Sequence, residues 1–186
     1  TMIIMPVLMP LTLQAAASNA AAFAQGGYEA LVFYPVTLFG CVGLCGGAGN
    51  TLPLALFGLK AKSEQIKAVS KIALIPGWFG INEPVTFGMP IMYNPILCIP
   101  YILNSIAVML CTLIGYKVGF LVPAFVPIMT LMPMGFKAFL GTLRWQNAIW
   151  DYLMMIPAGL VWYPFFKVYD NQLYKKEQEA LAAEAE

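Results

Sequence analysis

The chain has 186 residues, of which 60% carry hydrophobic side chains and only 10% carry charge, against roughly 25% charged in a soluble domain. Its net charge is +1 and it has no histidine, which excludes a basic field for nucleic acid and any His-centred metal or acid–base chemistry. The composition belongs in lipid and predicts an all-α integral membrane protein, a multi-span helical bundle.

Charge is sorted along the chain as well as scarce. Before residue 60 the only formal charge is Glu29, and between residues 72 and 143 there are only Glu83, Lys117 and Lys137. The remainder fall at 60–71, at 144–151 and after residue 166, as expected of a chain that repeatedly enters and leaves a bilayer core.

About 20 apolar residues span that core as a helix. Residues 2–23 form the first candidate, carrying Pro6 and Pro10. The small-residue run Ala15-Ala16-Ala17 imitates a signal-peptide cleavage site, but no positive segment precedes it. It reads as a membrane helix whose upstream partner is missing. Gln25-Gly26-Gly27-Tyr28-Glu29 is a polar turn, and residues 30–59 form a second candidate span, interrupted near Gly46-Gly47-Ala48-Gly49-Asn50, where helix is least favourable. Residues 60–71, with four lysines and one glutamate, are a short amphipathic stretch that the positive-inside rule places in the cytoplasm.

Residues 72–95 are apolar but contain Pro76, Gly77, Gly80, Pro84, Gly88, Pro90 and Pro95. Internal proline removes a backbone donor and clashes with the preceding turn, so a broken element is expected. Unpaired backbone at membrane depth is tolerated only where protein buries it or it lines a watery cavity, which a re-entrant hairpin satisfies. Residues 96–116 make a full span. Residues 120–134, broken by Pro123, Pro127 and Pro133, are a second hairpin candidate. A polar corner follows at 141–147, then a last span at 148–166 and a solvated cytoplasmic tail helix at 167–186. Two crossings, 96–116 outward and 148–166 inward, keep both basic segments in the cytoplasm.

Glu83 is the focal residue. A carboxylate at membrane depth costs roughly 2.5 to 3.5 kcal/mol on the gentler insertion scales, so an intramembrane acid marks a functional site by default. Broken helix supplies free N–H groups for it, and a polyhydroxylated ligand can donate to it as well. The alternative is a carboxylate satisfied by backbone or by Lys137. Asn82 beside it offers both donors and an acceptor, or caps the turn. Trp78 is the first choice for stacking on an apolar sugar face, ahead of Phe79, Tyr93 and Trp145, which also suit lipid-facing or interfacial belts. The cluster Gly40, Gly43, Gly46, Gly47 and Gly49 lacks the Gly-Lys-Ser/Thr of a phosphate loop. It suits close helix packing through Gly43 and Gly47, and its break near Gly47 and Asn50 can expose backbone to a cavity. Cys41 and Cys45 have no companion metal ligands and read as small apolar residues. No metal site, cofactor or catalytic group is expected, and a membrane enzyme with Glu83 as base lacks a nucleophile or second acid.

Residues 80–100, GINEPVTFGMPIMYNPILCIP, resemble the Asn-Glu-Pro motif of the membrane (IIC) component of the lactose/cellobiose/chitobiose family of the bacterial sugar phosphotransferase system. Gly46-Gly47-Ala48-Gly49-Asn50-Thr51 is similar to that family's Gly-Gly-Ser-Gly-Ala-Thr, and Tyr163-Pro164-Phe165-Phe166-Lys167 to its closing motif. The resemblance covers essentially the whole chain. It implies a C-terminal, elevator-type transport domain at 1–166 with a tail at 167–186, in the bacterial cell membrane. Such a domain binds a disaccharide through Glu83, Asn82, Trp78, Gly47 and Asn50 and delivers it to cytoplasmic IIB and IIA phosphocarrier subunits. Glu83 then lies near the hydroxyl that receives the phosphoryl group. Homodimerisation in that family uses an N-terminal half without a counterpart here, and a site histidine falls upstream of Thr1. Its tryptophan after Val-Pro is replaced, since Ile128 follows Val126-Pro127. A truncated, non-transporting scaffold is the alternative expectation.

Overall fold

The computed structural model describes residues 5–36, 45–128 and 130–184, and its regular elements are helical, with no strand among the described residues. In chain order they are α1 (Met5–Gly26), a short 3-10 turn (Gly27–Ala30), α2 (Leu52–Gly58), α3 (Glu64–Trp78), α4 (Glu83–Gly88), a second 3-10 turn (Ile91–Tyr93), α5 (Pro95–Lys117), α6 (Phe136–Thr142), α7 (Trp145–Leu153) and α8 (Met155–Glu184). Among the described residues two stretches are long and apolar enough to cross a membrane, Pro6–Ala30 with 25 residues and Pro95–Lys117 with 23. The expectations for Gly40, Cys41 and Gly43 lie outside the described residues, as does part of the span expected at 30–59.

The chain divides into two compact units, Thr1–Leu44 with Val108–Met154, and Cys45–Ala107 with Met155–Glu186. The division falls inside α5 and between α7 and α8.

In the first unit, the described residues of 120–134 form no helix, as three prolines in an apolar run require. Their backbone groups must find partners elsewhere, and side chains of neighbouring helices and one backbone carbonyl provide them. Asn147, 0% exposed, accepts from the Val122 N–H at 3.2 Å and donates to its carbonyl at 2.9 Å. Asn19, 1% exposed, donates to the carbonyls of Val32 and Ala124 and accepts from the Val32 N–H. Phe125 and Val126 both donate to the Gly141 carbonyl. Asp151 accepts from the Gly135 N–H, and the Tyr152 hydroxyl donates to the Met134 carbonyl.

In the second unit, Leu54, Ile66, Val85, Leu97 and Trp162 are core residues drawn from α2, α3, α4, α5 and α8, joined by Met89 just after α4. Helix α3 starts at Ser63, whose hydroxyl oxygen accepts from the Ile66 N–H, the usual N-cap bond. It merges the expected amphipathic stretch with the first arm of the Pro-rich segment, because Pro76 falls where only one turn remains. The helix stops in a Schellman motif: Ile81 donates to the Pro76 carbonyl and Gly80 to that of Gly77, with Gly80 at φ +83. Only glycine adopts that left-handed conformation without strain.

Within the stretch expected as a last span, 148–166, the helix is interrupted at one residue, Met154. Helix α7 ends at Leu153 and α8 begins at Met155, because Pro157 has no N–H for the Leu153 carbonyl and its ring crowds that group. The apolar end and the tail are one helix of 30 residues. Two tail carboxylates hold the start of α3. Asp170, 6% exposed, accepts from the backbone N–H groups of Lys62 and Ser63 at 2.9 to 3.0 Å. Glu177 accepts from the Ser63 hydroxyl and from the N–H groups of Glu64 and Gln65. The Ser63 hydroxyl, ahead of the two backbone donors, holds the Glu177 carboxyl below its ordinary value. Four N–H groups at a helix start need partners, and anions suit that end of the dipole.

Candidate functional site

The helix break after Trp78 places Asn82 and Glu83 on a short turn beside the glycine loop at 46–50. That loop is held from inside the unit. Trp162, 0% exposed, donates its indole N–H to the carbonyls of Gly49 and Asn50 at 3.1 and 3.0 Å. The Asn50 side chain accepts from the Cys45 N–H at 2.9 Å, and the Thr51 hydroxyl donates to the Gly46 carbonyl at 2.8 Å. Asn50 is therefore buried and shapes the loop.

Gly47 lets the two turns meet. Its φ is +77, and a Cβ there would stand 2.5 Å from the Gly80 carbonyl oxygen. Any side chain would force the loops apart. Asn82 closes the junction by donating its amide N–H to the Ala48 carbonyl at 2.8 Å and towards the Tyr101 hydroxyl at 3.5 Å.

Asn82 stands at the N-cap position of α4 but makes no side-chain cap bond. Its carboxamide bridges α4 to the glycine loop and to α5 instead, so the capping alternative does not describe it. Among the described residues its Oδ1 accepts no hydrogen bond. Glu83 opens α4 with Pro84 next to it. It is exposed, and among the described residues its carboxylate has no hydrogen bond or ion pair. Trp78, 45% exposed, ends α3 with its ring edge-on to Phe79 at 6.0 Å.

Tyr101 is the residue that sequence reasoning missed. It lies on α5, 19 positions from Asn82, and its ring covers Gly49. No local motif marks it; the only cue is a hydroxyl within an apolar helix.

The arrangement leaves a carboxylate and an amide oxygen without a partner among the described residues, a few positions after an exposed indole in the sequence, on backbone that three interior side chains hold in place. Those groups accept hydrogen bonds from hydroxyls and offer a flat apolar face. The described residues hold no group of metal ligands.

An all-helical chain with spanning helices and a polar, broken-helix site has the build of a membrane transporter. The chain belongs to the family Phosphotransferase system, EIIC, which its residues 1–105 match. It is 34% identical over 176 residues to the lichenan permease IIC component of Bacillus subtilis (strain 168), covering 93% of this chain and 39% of the relative. It is 33% identical over 190 residues to the lactose-specific EIICB component of Lacticaseibacillus casei, covering 95% of this chain and 31% of the relative. The crystal structure of the transporter ChbC, the IIC component of the N,N'-diacetylchitobiose-specific phosphotransferase system, matches with a TM-score of 0.86 and 30% identity over 95% of this chain and 41% of that one. The chain thus spans about two fifths of the length of these proteins at most.

Proposed function

We propose that this chain is the sugar-binding part of a phosphotransferase-system permease. It takes a disaccharide of the cellobiose, chitobiose or lactose class within the bacterial plasma membrane and presents it to a cytoplasmic IIB phosphocarrier. In this reading the chain transports and the phosphoryl transfer is done by the separate subunits. Residues 1–166 form the transport domain, and 167–186 are its cytoplasmic tail. The relatives named for lichenan, lactose and N,N'-diacetylchitobiose support the substrate class, and the EIICB relative supports a IIB partner.

One observation carries the assignment: the Asn82 side chain is tied to the protein through its amide N–H alone, while its Oδ1 and the Glu83 carboxylate have no protein partner among the described residues. Acceptors left open on a braced turn are what sugar hydroxyls require, since a carboxylate bond to a hydroxyl is charge-assisted and short. Trp78 offers its indole to one sugar face, Gly47 brings the two loops together, and Asn50 sets the loop's shape.

Detergent-purified protein is expected to bind cellobiose, chitobiose or lactose by isothermal titration. Glu83→Gln removes the charge and keeps the shape, and is expected to abolish that binding. Unchanged affinity in the variant removes Glu83 from the site.

A further inference from the structure

A second concave site lies away from Asn82 and Glu83, between α2 and α8. It encloses about 600 Å³, and its walls include Leu56, Phe57, Lys60, Lys62, Tyr163 and Lys167. Both walls carry the same order along the chain. On one, Leu56 and Phe57 precede Lys60 by three or four positions; on the other, Tyr163 precedes Lys167 by four. The cavity therefore grades from apolar at one end to cationic at the other.

The lysines are available. The Lys167 ammonium lies 4.8 Å from the Tyr163 ring centroid, and the Lys62 ammonium donates to the Asn171 carboxamide oxygen at 3.0 Å. Among the described residues the sole ion pair is Lys67 with Glu64. Asp170 is the one acid in the lining, and both its oxygens are taken by the Lys62 and Ser63 N–H groups. Three lysines against one engaged carboxylate leave an excess of positive charge and of donors. A sugar needs acceptors as well, and this cavity has almost none to spare.

We propose that this cavity binds the phosphate headgroup of an anionic phospholipid, the phosphate on Lys60, Lys62 and Lys167 and the acyl chain along Leu56, Phe57 and Tyr163. Basic pockets beside membrane helices hold such headgroups through lysine. Long lysines reach out of an apolar wall to the same level. A soluble phosphate ion would use the lysines and leave the apolar wall unused, whereas a lipid uses both. The position agrees, because Leu56 is 40% and Tyr163 46% exposed where α2 and α8 pass from apolar to charged sequence.

Native mass spectrometry of the detergent-purified chain tests this with phosphatidylglycerol and phosphatidylcholine as probes. Phosphatidylglycerol is expected to be retained preferentially, and each of K60Q, K62Q and K167Q to lower that preference about fivefold. Lys167→Arg is expected to keep it. Equal retention of the two lipids, or a preference unchanged in the triple variant, overturns the proposal. Lys60 and Lys167 are both exposed, so their single variants serve if the triple variant does not fold. Inorganic phosphate is the second arm: if it binds with the same lysine dependence while phosphatidylglycerol shows no preference, the ligand is a soluble phosphate and the lipid assignment falls.

Discussion

Residues 120–134 in one unit and the paired turns at 46–50 and 79–82 in the other are both apolar sequence in which helix fails, and they handle their polar groups in opposite ways. In the first, Asn19, Asn147 and Tyr152 reach in from neighbouring helices and take up backbone donors and acceptors, and Asp151 does the same for Gly135 just beyond it. In the second, Trp162, Asn50 and Thr51 brace the glycine loop, but Asn82 Oδ1 and the Glu83 carboxylate are left open. Irregular backbone in a membrane protein is thus no sufficient mark of a binding site. The mark is a polar group that the surrounding protein holds near and does not use.

That contrast is open to test by substitution. Asn147→Ala should give the largest loss, because it strands both Val122 backbone groups in a part-buried setting, and each orphan costs about 1 to 3 kcal/mol. A fall in thermal midpoint in detergent, with Val122 losing protection from hydrogen exchange, is the expected readout; an unchanged midpoint would show that residues 120–134 do not depend on the plug. Gly47→Ala comes next. It forces a β-carbon into a left-handed position against the Gly80 carbonyl, at about 1 to 3 kcal/mol for a strained residue, and should lower stability and sugar affinity together.

Asn82→Ala removes the bond to Ala48 and should cost about 1 kcal/mol of stability while abolishing sugar binding. For Glu83→Gln the midpoint should move by no more than about 0.5 kcal/mol, as for an exposed side chain without partners. If Glu83→Gln destabilises as much as Asn147→Ala does, the two turns are both structural and the contrast is wrong.

The smallest effect expected is with pH. Glu177 is held below its ordinary value by Ser63 and the N–H groups of Glu64 and Gln65, so it binds protons less readily in the folded chain. Its contribution is present above the unfolded value and is lost as pH falls through the folded one. Acidification below the ordinary carboxylate range should release the Glu64 and Gln65 amides to faster exchange, after correction for intrinsic rates. Glu177→Gln should show that release already at neutral pH.

Much of this was readable from residues alone, for identifiable reasons. The break around Gly80 and Pro84 was visible because proline and glycine act locally, and Glu83 stood out because charge is so rare in its surroundings. What was hidden depends on partners distant in sequence. Asn147 and Val122 are 25 positions apart, and Asn19 and Ala124 are 105 apart; an asparagine in an apolar helix does not announce which backbone it will satisfy. Tyr101 was missed for the same reason. The interruption at Met154 has no such local mark, because the run holds both Pro157 and Pro164 and α8 continues through the second. In the tail, Asp170 and Glu177 look like any other solvated acids until the start of α3 is seen against them.

Helix α8 carries Trp162 at the glycine loop and Asp170 and Glu177 at the start of α3, all on one side of a rod. Trp162 and Glu177 are separated by about 22 Å of helical rise. The tail is in this sense a ruler, and its grip depends on phase. Deleting one residue between Trp162 and Asp170 would rotate both carboxylates by roughly 100° and detach the α3 start, with every side chain that makes those bonds still present.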